Sequence, residues 1–323
     1  MITDYEAVRE GGAGLIDLSA ARGRIRVSGS EATMFLNGLM TNDMKSLAAN
    51  RWMPSVFPTV QGRLIGTVRV IRGGESSFLI DTETASHDAV LKTISRFTMA
   101  GDFKVSDVTA ETALLSVQGE IAGAVIDKVF ETSASEIPVN GVSEVSGVTI
   151  IRASHTGENG FDVVIDLSRK AELLQALETA GAQPISEDTL EILRVEAGIA
   201  RFGQDIDETN VVPETNLDEA VSFTKGCYVG QEIIVRIKHR GHPAKKLIGL
   251  RFETDAQIES GAIIHSTENQ EIGRVTSAVV SPRLGSIGLG YVRYEHLAEG
   301  TRVVASDGIN ATVTGLPFVG TNG

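Results

Sequence analysis

A single cysteine, Cys227, stands in a chain of 323 residues. No intrachain disulfide can form, which suits a reducing compartment. No stretch approaches the ~20 apolar residues of a membrane-spanning helix, so no membrane partner is expected. Positive charge is scarce: 29 Lys and Arg face 42 Asp and Glu, a formal net charge of −13. A chain this acidic repels a phosphate backbone at long range, so no direct nucleic-acid partner is expected. The N-terminal MITDYEAVREGG places Asp4, Glu6 and Glu10 before any apolar run, unlike a signal or Arg-rich transit peptide. A cytoplasmic protein is expected. Catalytic signatures are missing too. The chain has no Walker A loop, no Gly-x-Gly-x-x-Gly between strand and helix, no HExxH, no CxxC and no Gly-x-Ser-x-Gly elbow.

What is present reads as an ordinary globular chain, 42% hydrophobic and 22% charged. At about 150 residues per domain it holds about two domains, or three small ones. Strands are expected at 14–17 and 25–27, then a helix at 31–40 with Ser30 as N-cap. Strands at 52–58, 64–71 and 78–81 and a helix at 84–97 complete an α+β block. A second block has strands at 113–117, 148–153 and 161–165 and helices at 121–129, 168–180 and 187–198, the last closed by Gly198. The stretch 202–224 lacks periodicity, which marks a functional or disordered segment. From about residue 244 only strands remain, at 247–252, 262–265, 273–280, 287–292, 302–305 and 311–313, the pattern of a small β-barrel or sandwich. A boundary falls near Gly241-His242-Pro243.

The strongest local feature is Lys225-Gly226-Cys227-Tyr228-Val229-Gly230-Gln231-Glu232. A lysine beside a thiol stabilises the thiolate, although a lone cysteine is also a common small core residue. Downstream, Arg236, Lys238, His239, Arg240, His242, Lys245 and Lys246 form a basic stretch that suits an anionic ligand or a solvated rim. Cys227, His239 and His242 offer three metal ligands, but structural zinc takes four and no fourth is evident, so no metal is expected. Thr156-Gly157-Glu158-Asn159-Gly160-Phe161 is a tight turn displaying one carboxylate. A carboxylate can accept two N–H groups of an aminopyrimidine side by side; an exposed glutamate on a plain hairpin is the simpler alternative. Arg194 sits near a helix C-terminus, where a cation is favoured whatever its function.

Together these segments resemble the folate-binding YgfZ family, which is related to the aminomethyltransferase (T-protein) of the glycine cleavage system. Lys225 to Glu232 is similar to that family's K-G-C-[FY]-x-G-Q-E. Leu36 to Asp43 is similar to L-x-G-x-x-T-N-D, and Leu193 to Gly198 to L-R-x-E-A-G. Ile272 to Ser277, Ser281-Pro282 and Ile287 to Val292 resemble its C-terminal barrel. The resemblance implies an α+β, T-protein-like fold: two α+β domains and a β-barrel around a central folate channel. Its domains would be 1–110, 111–241 with the cysteine motif, and 242–323, the chain being free to cross between the first two. It implies tetrahydrofolate or a derivative as cofactor, with Glu158 on the pterin, Arg194 lining the pocket, and Lys225 and the functional thiol Cys227 at the channel mouth.

T-proteins carry a G-G-x-x-D-D segment where this chain reads Gly62-Arg63-Leu64-Ile65-Gly66-Thr67, so no carboxylate stands at Gly66. That departure favours the YgfZ role over aminomethyl transfer. The role implied is folate-dependent support of iron–sulfur cluster assembly or repair, serving radical and tRNA-modifying enzymes, with assembly proteins or client enzymes as partners. Two alternatives stand beside it. One is a folate-dependent aminomethyltransferase or demethylase of the T-protein type. The other is a non-catalytic module whose basic segment docks an acidic protein.

Overall fold

Alternating apolar residues on short strands build three sheets in this computed structural model, which describes residues 3–74, 76–99 and 101–320. The first stretch holds α1 (Asp4–Arg9), β1 (Gly14–Asp17), β2 (Arg22–Ser28), α2 (Ala32–Leu39), β3 (Arg51–Pro58), β4 (Leu64–Arg72), β5 (Ser77–Glu83), α3 (Thr84–Ser95) and β6 (Lys104–Asp107). The second holds β7 (Thr112–Gln118), α4 (Ala122–Phe130), β8 (Val142–Val145), β9 (Val148–Arg152), β10 (Gly160–Asp166), α5 (Lys170–Ala180), β11 (Gln183–Pro184), α6 (Glu187–Glu196) and α7 (Gln231–Arg240). The last holds β12 (Lys245–Phe252), β13 (Ile263–Ser266), β14 (Glu271–Ser281), β15 (Gly285–Arg293), β16 (Arg302–Ala305) and β17 (Ile309–Thr314).

One sheet runs β3-β4-β5-β2-β6, a second runs β11-β1-β7-β10-β9-β8, and β12 to β17 close into a six-stranded barrel. The fold is two α+β units plus a C-terminal closed barrel. The chain starts in the second sheet: β1 lies between β7 and β11, and β2 to β6 are built before the chain returns at β7.

Each α+β unit buries one sheet face under helices. Leu36 of α2 and Val90 and Ile94 of α3 cover Ile25, Val70 and Ile80. Ile126 of α4 and Leu177 of α5 cover Leu115, Phe161 and Val163. The second sheet's other face holds Ile16, Leu114 and Val164, which pack on α1, α6 and on Trp52, Ile71 and Leu79 of the first sheet. The two sheets therefore share a core between them. Val195 of α6 in turn packs on Leu247, Val279 and Leu289 of the barrel. Among the described residues no helix is long and apolar enough to cross a membrane.

Several local expectations shift. Ser30 does not cap α2: its N–H and hydroxyl both donate to Asp102, and Glu31 takes the cap position. Helix α6 ends at Glu196, and Gly198 at φ +67° turns the chain after it, a backbone conformation that favours glycine. The stretch 202–224 is ordered. Its Val212, Ala220 and Val221 join Val56 and Leu64 of the first sheet in one apolar cluster with Ile234 of α7. Elements α1, β6, β8, β11 and α7 were not foreseen; four of them are six residues or shorter, too short for a period to show.

One carboxylate ties these parts together. Glu196, fully buried at the end of α6, accepts the Tyr5 hydroxyl at 2.7 Å, Arg9 Nη2 at 2.8 Å and the Ser281 hydroxyl of β14. Its main-chain oxygen accepts Phe318 N–H at 2.9 Å. Removing one partner of a buried ion pair strands the other charge and costs about 3–5 kcal/mol. Glu196→Ala is therefore expected to lose about that much in urea unfolding, and a loss under about 1 kcal/mol would show that the network is dispensable.

Candidate functional site

A cavity of about 990 Å³ opens where the two α+β units meet the barrel. Asp17 of β1 and Leu18 just after it, Arg22 of β2, Glu83 at the end of β5, and His155 form one side. Glu191 and Arg194 of α6, Phe202 and Gln204, Ile258, and Ser277 of β14 form the other.

Strand register places the charges on the first side. Arg22 lies opposite Glu83 in the β2–β5 pairing, and Arg69 lies opposite Asp81 in the β4–β5 pairing. Facing opposite charges across antiparallel strands attract. Arg22 bonds Asp81 Oδ1 and Glu83 Oε1, each at 2.7 Å. Arg69 Nε bonds Asp81 Oδ2 at 2.9 Å, and its Nη2 crosses to Asp162 Oδ2 of β10 at 2.7 Å. Asp162 completes the run by bonding His155 Nε2 at 3.0 Å. The indole of Trp52 lies under the Arg69 guanidinium, 5.5 Å away. Burial pushes the Asp162 carboxyl up, but the charges of His155 and Arg69 and bonds from His155 and Ser116 outweigh it, leaving it well below the usual carboxylate range. Asp81 is likewise held low by Arg22 and Arg69 against its burial.

The turn carrying His155 is held from beneath. Gln118 Oε1 accepts His155 N–H at 2.9 Å, and Gln118 Nε2 donates to Ala153 O and the Ser116 hydroxyl. Ser154 Oγ accepts Gly157 N–H at 2.9 Å, and Gly157 takes φ +82°, which lets the turn close.

The expected site residues do not converge. Arg194 lines the cavity, but its five N–H groups go to Glu191 twice, Asp205, Ser277 and Ile199 O. It clamps α6 to the barrel. Glu158 lies outside the cavity lining, where its carboxylate accepts Arg9 Nη1 at 2.8 Å. Lys225 is buried, and its ammonium donates to Asn37 O, Met40 O and Asn42 O at 2.6, 2.9 and 2.7 Å. It thereby satisfies carbonyls at the C-terminal end of α2. Burial pushes Lys225 down to about 8, against a smaller upward pull from Asp43. Cys227 is exposed, and neither it nor Lys225 lines the cavity.

The basic stretch is dispersed. Lys238 pairs with Asp218 at 2.6 Å, His242 stacks on Tyr294 at 3.7 Å, and Lys245 lies over Tyr291. The side chain of Arg240 lies outside the described residues. Among the described residues no three His, Cys, Asp or Glu side chains come together to hold a metal. Gly66 faces α3: a Cβ there would stand 2.7 Å from Val90 Cγ2 and 2.8 Å from Ser86 Cβ. The helix therefore occupies the space that a carboxylate at this position would need.

The model of the GCVT N-terminal domain matches residues 1–225, and that of the glycine cleavage T-protein C-terminal barrel domain matches residues 245–319. An aminomethyltransferase from Geobacillus kaustophilus is 30% identical over 98% of this chain and 89% of its own length. One from Listeria monocytogenes is 29% identical over 98% of this chain and 88% of its own. The crystal structure of the glycine cleavage system aminomethyltransferase T from Bartonella henselae has a similar fold, with a TM-score of 0.92 at 24% identity, covering 98% of this chain and 89% of that one. The chain belongs to the glycine cleavage T-protein family.

These matches correct the resemblance to the YgfZ family and the iron–sulfur assembly or repair role drawn from it, because both family models and the full-length relatives are of the T-protein kind. The physical reason lies in the octet that carried the resemblance. Its lysine is spent on α2 carbonyls, and its thiol is exposed away from the cavity.

Asp162 generates a pH prediction. Its folded pKa lies below its unfolded one, so its stabilisation is present above about pH 4 and lost as pH falls further. Urea midpoints of the wild type should fall steeply from pH 5 to pH 3. Asp162→Asn should flatten that acid limb and cost about 3–5 kcal/mol at pH 7; parallel limbs in the two proteins would refute the assignment.

Proposed function

We propose that this member of the glycine cleavage T-protein family is a folate-dependent aminomethyltransferase or demethylase, acting in the cavity between its three units. The observation that carries the reading is a cavity of about 990 Å³ at the junction of a chain that matches aminomethyltransferases over 98% of its length. Its volume lies at the upper end of the range of about 300–1,000 Å³ found for ligand pockets. A cytoplasmic site of action belongs to the same reading.

The lining suits a flat heterocycle with a charged tail. Leu18, Leu190, Phe202 and Ile258 supply apolar walls for ring stacking. Glu83 and Glu191 supply acceptors for ring N–H groups, and Arg201 supplies a cation for a carboxylate tail. Tetrahydrofolate, when bound, would supply the nitrogens that receive the one-carbon unit. Arg194 fixes the wall behind it through Glu191 and Asp205. Glu158 serves by anchoring, through Arg9, the turn that carries His155. Lys225 and Cys227 contribute at the periphery, Lys225 by holding the end of α2.

The test is a thermal titration with tetrahydrofolate, paired with an assay for methylenetetrahydrofolate from glycine-derived and lipoyl-linked amines. At a hundred times its dissociation constant a ligand adds about 2.7 kcal/mol to the folded state. At roughly 2 °C per kcal/mol the expected rise is about 5 °C. Ala85→Trp, which fills the cavity wall from an exposed position, should abolish both the shift and the turnover. No shift and no turnover across the donor panel would refute the reading.

A further inference from the structure

The segment around Gly66 offers no carboxylate, and α3 leaves no room for one. Transfer of a one-carbon unit onto a nitrogen nonetheless requires a proton to leave the attacking nitrogen and one to reach the departing group. Among the described residues His155 is the one imidazole lining the cavity.

Three geometric facts single it out. Its Nε2 is shared between both oxygens of Asp162, at 3.1 and 3.0 Å. Asp162 is itself fully buried, and the Arg69 guanidinium lies 2.7 Å from its Oδ2, an ion pair that suits the ionised carboxylate. An ionised carboxylate accepts only, so a neutral His155 carries its proton on Nε2 and leaves the Nδ1 lone pair available. Among the described residues Nδ1 makes no hydrogen bond, and the side chain keeps 19% of its surface exposed. A buried carboxylate that fixes a tautomer, with the second ring nitrogen unbonded beside a cavity, is the arrangement of a general base and its orienter.

We propose that His155 is the proton-transfer residue of the aminomethyl transfer, with Asp162 and Arg69 as positioning residues. The inference rests on the function proposed above. Two bonds from the incoming carbon to tetrahydrofolate nitrogens form and two break; as each attacking nitrogen forms its bond, its proton passes to Nδ1. That proton then goes to the group whose bond to the carbon breaks in the same step, the amine in one step and the donor's carrier atom in the other. No net acid, base or electron is consumed. The charged groups facing His155 are Asp162 of β10 and, behind it, Arg69 of β4. On the same side of the cavity stand the Arg22–Glu83 pair and Asp17, which is paired with Lys170, and across it the Arg194–Glu191 pair.

The decisive variants are His155→Gln and His155→Phe. Each should keep the thermal shift with tetrahydrofolate while kcat falls about 10²- to 10⁴-fold. The acid limb of the kcat–pH profile should vanish, and added imidazole should restore part of the rate to the smaller-volume variant His155→Gly. Nitrogen-15 NMR of the wild type should show the Nε2–H tautomer, with Nδ1 shifting when tetrahydrofolate is added. Turnover in His155→Gln within threefold of the wild type, with an unchanged pH profile, overturns the inference and leaves the function standing. An Nδ1–H tautomer overturns it independently of any assay. A wild type with neither shift nor turnover overturns the function, and the role of His155 with it.

Discussion

Arg69 lies between two buried carboxylates that belong to different sheets, Asp81 of β5 and Asp162 of β10. Neither acid has solvent to share its charge, and burial alone would neutralise both. The guanidinium reaches the Oδ2 of each acid, and Trp52 covers its face. The seam between the α+β units is therefore set by electrostatics as well as by the shared apolar core. Everything on the cavity's first side follows from that seam. Arg22 and Glu83 are drawn in at one end, and His155 is held at the other.

Helix α6 does for the barrel what Arg69 does for the sheets. Its Arg194 spends every N–H on Glu191, Asp205, Ser277 and Ile199. Its Glu196 gathers Tyr5, Arg9 and Ser281. The helix thus carries a cavity wall on one turn and a three-way junction on the next. Buried ionic networks of this kind add little net stability, since desolvation offsets most of the attraction. What they confer here is a fixed relation between three units that share one cavity.

Much of the architecture was legible along the chain. Period-two runs such as Leu64 to Ile71 and the strand series after residue 244 announced the sheets and the barrel, because a half-buried strand must alternate. The site was less legible. Glu158 and Arg194 stood out by motif, yet the structure commits both to protein partners. His155, Asp162 and Arg69 went unremarked, although one signal was present: charged residues at core-facing strand positions, as in Phe161-Asp162-Val163 and Val68-Arg69-Val70. A charge in such a place must find a partner or distort the strand.

By itself the sequence determined most of the longer strands and helices and the change to an all-strand C-terminal quarter, since these depend on spacing among near neighbours. It determined the missing carboxylate at Gly66 in the same direct way. Only the tertiary structure decided that Lys225 caps α2 rather than serving Cys227, for its three acceptors lie more than 180 residues away. It alone decided that β1 joins the second sheet, and that Asp81 and Asp162 share one arginine. Such pairings join residues far apart in the chain. Which buried charge meets which is settled by how the sheets stack, and no local pattern records it.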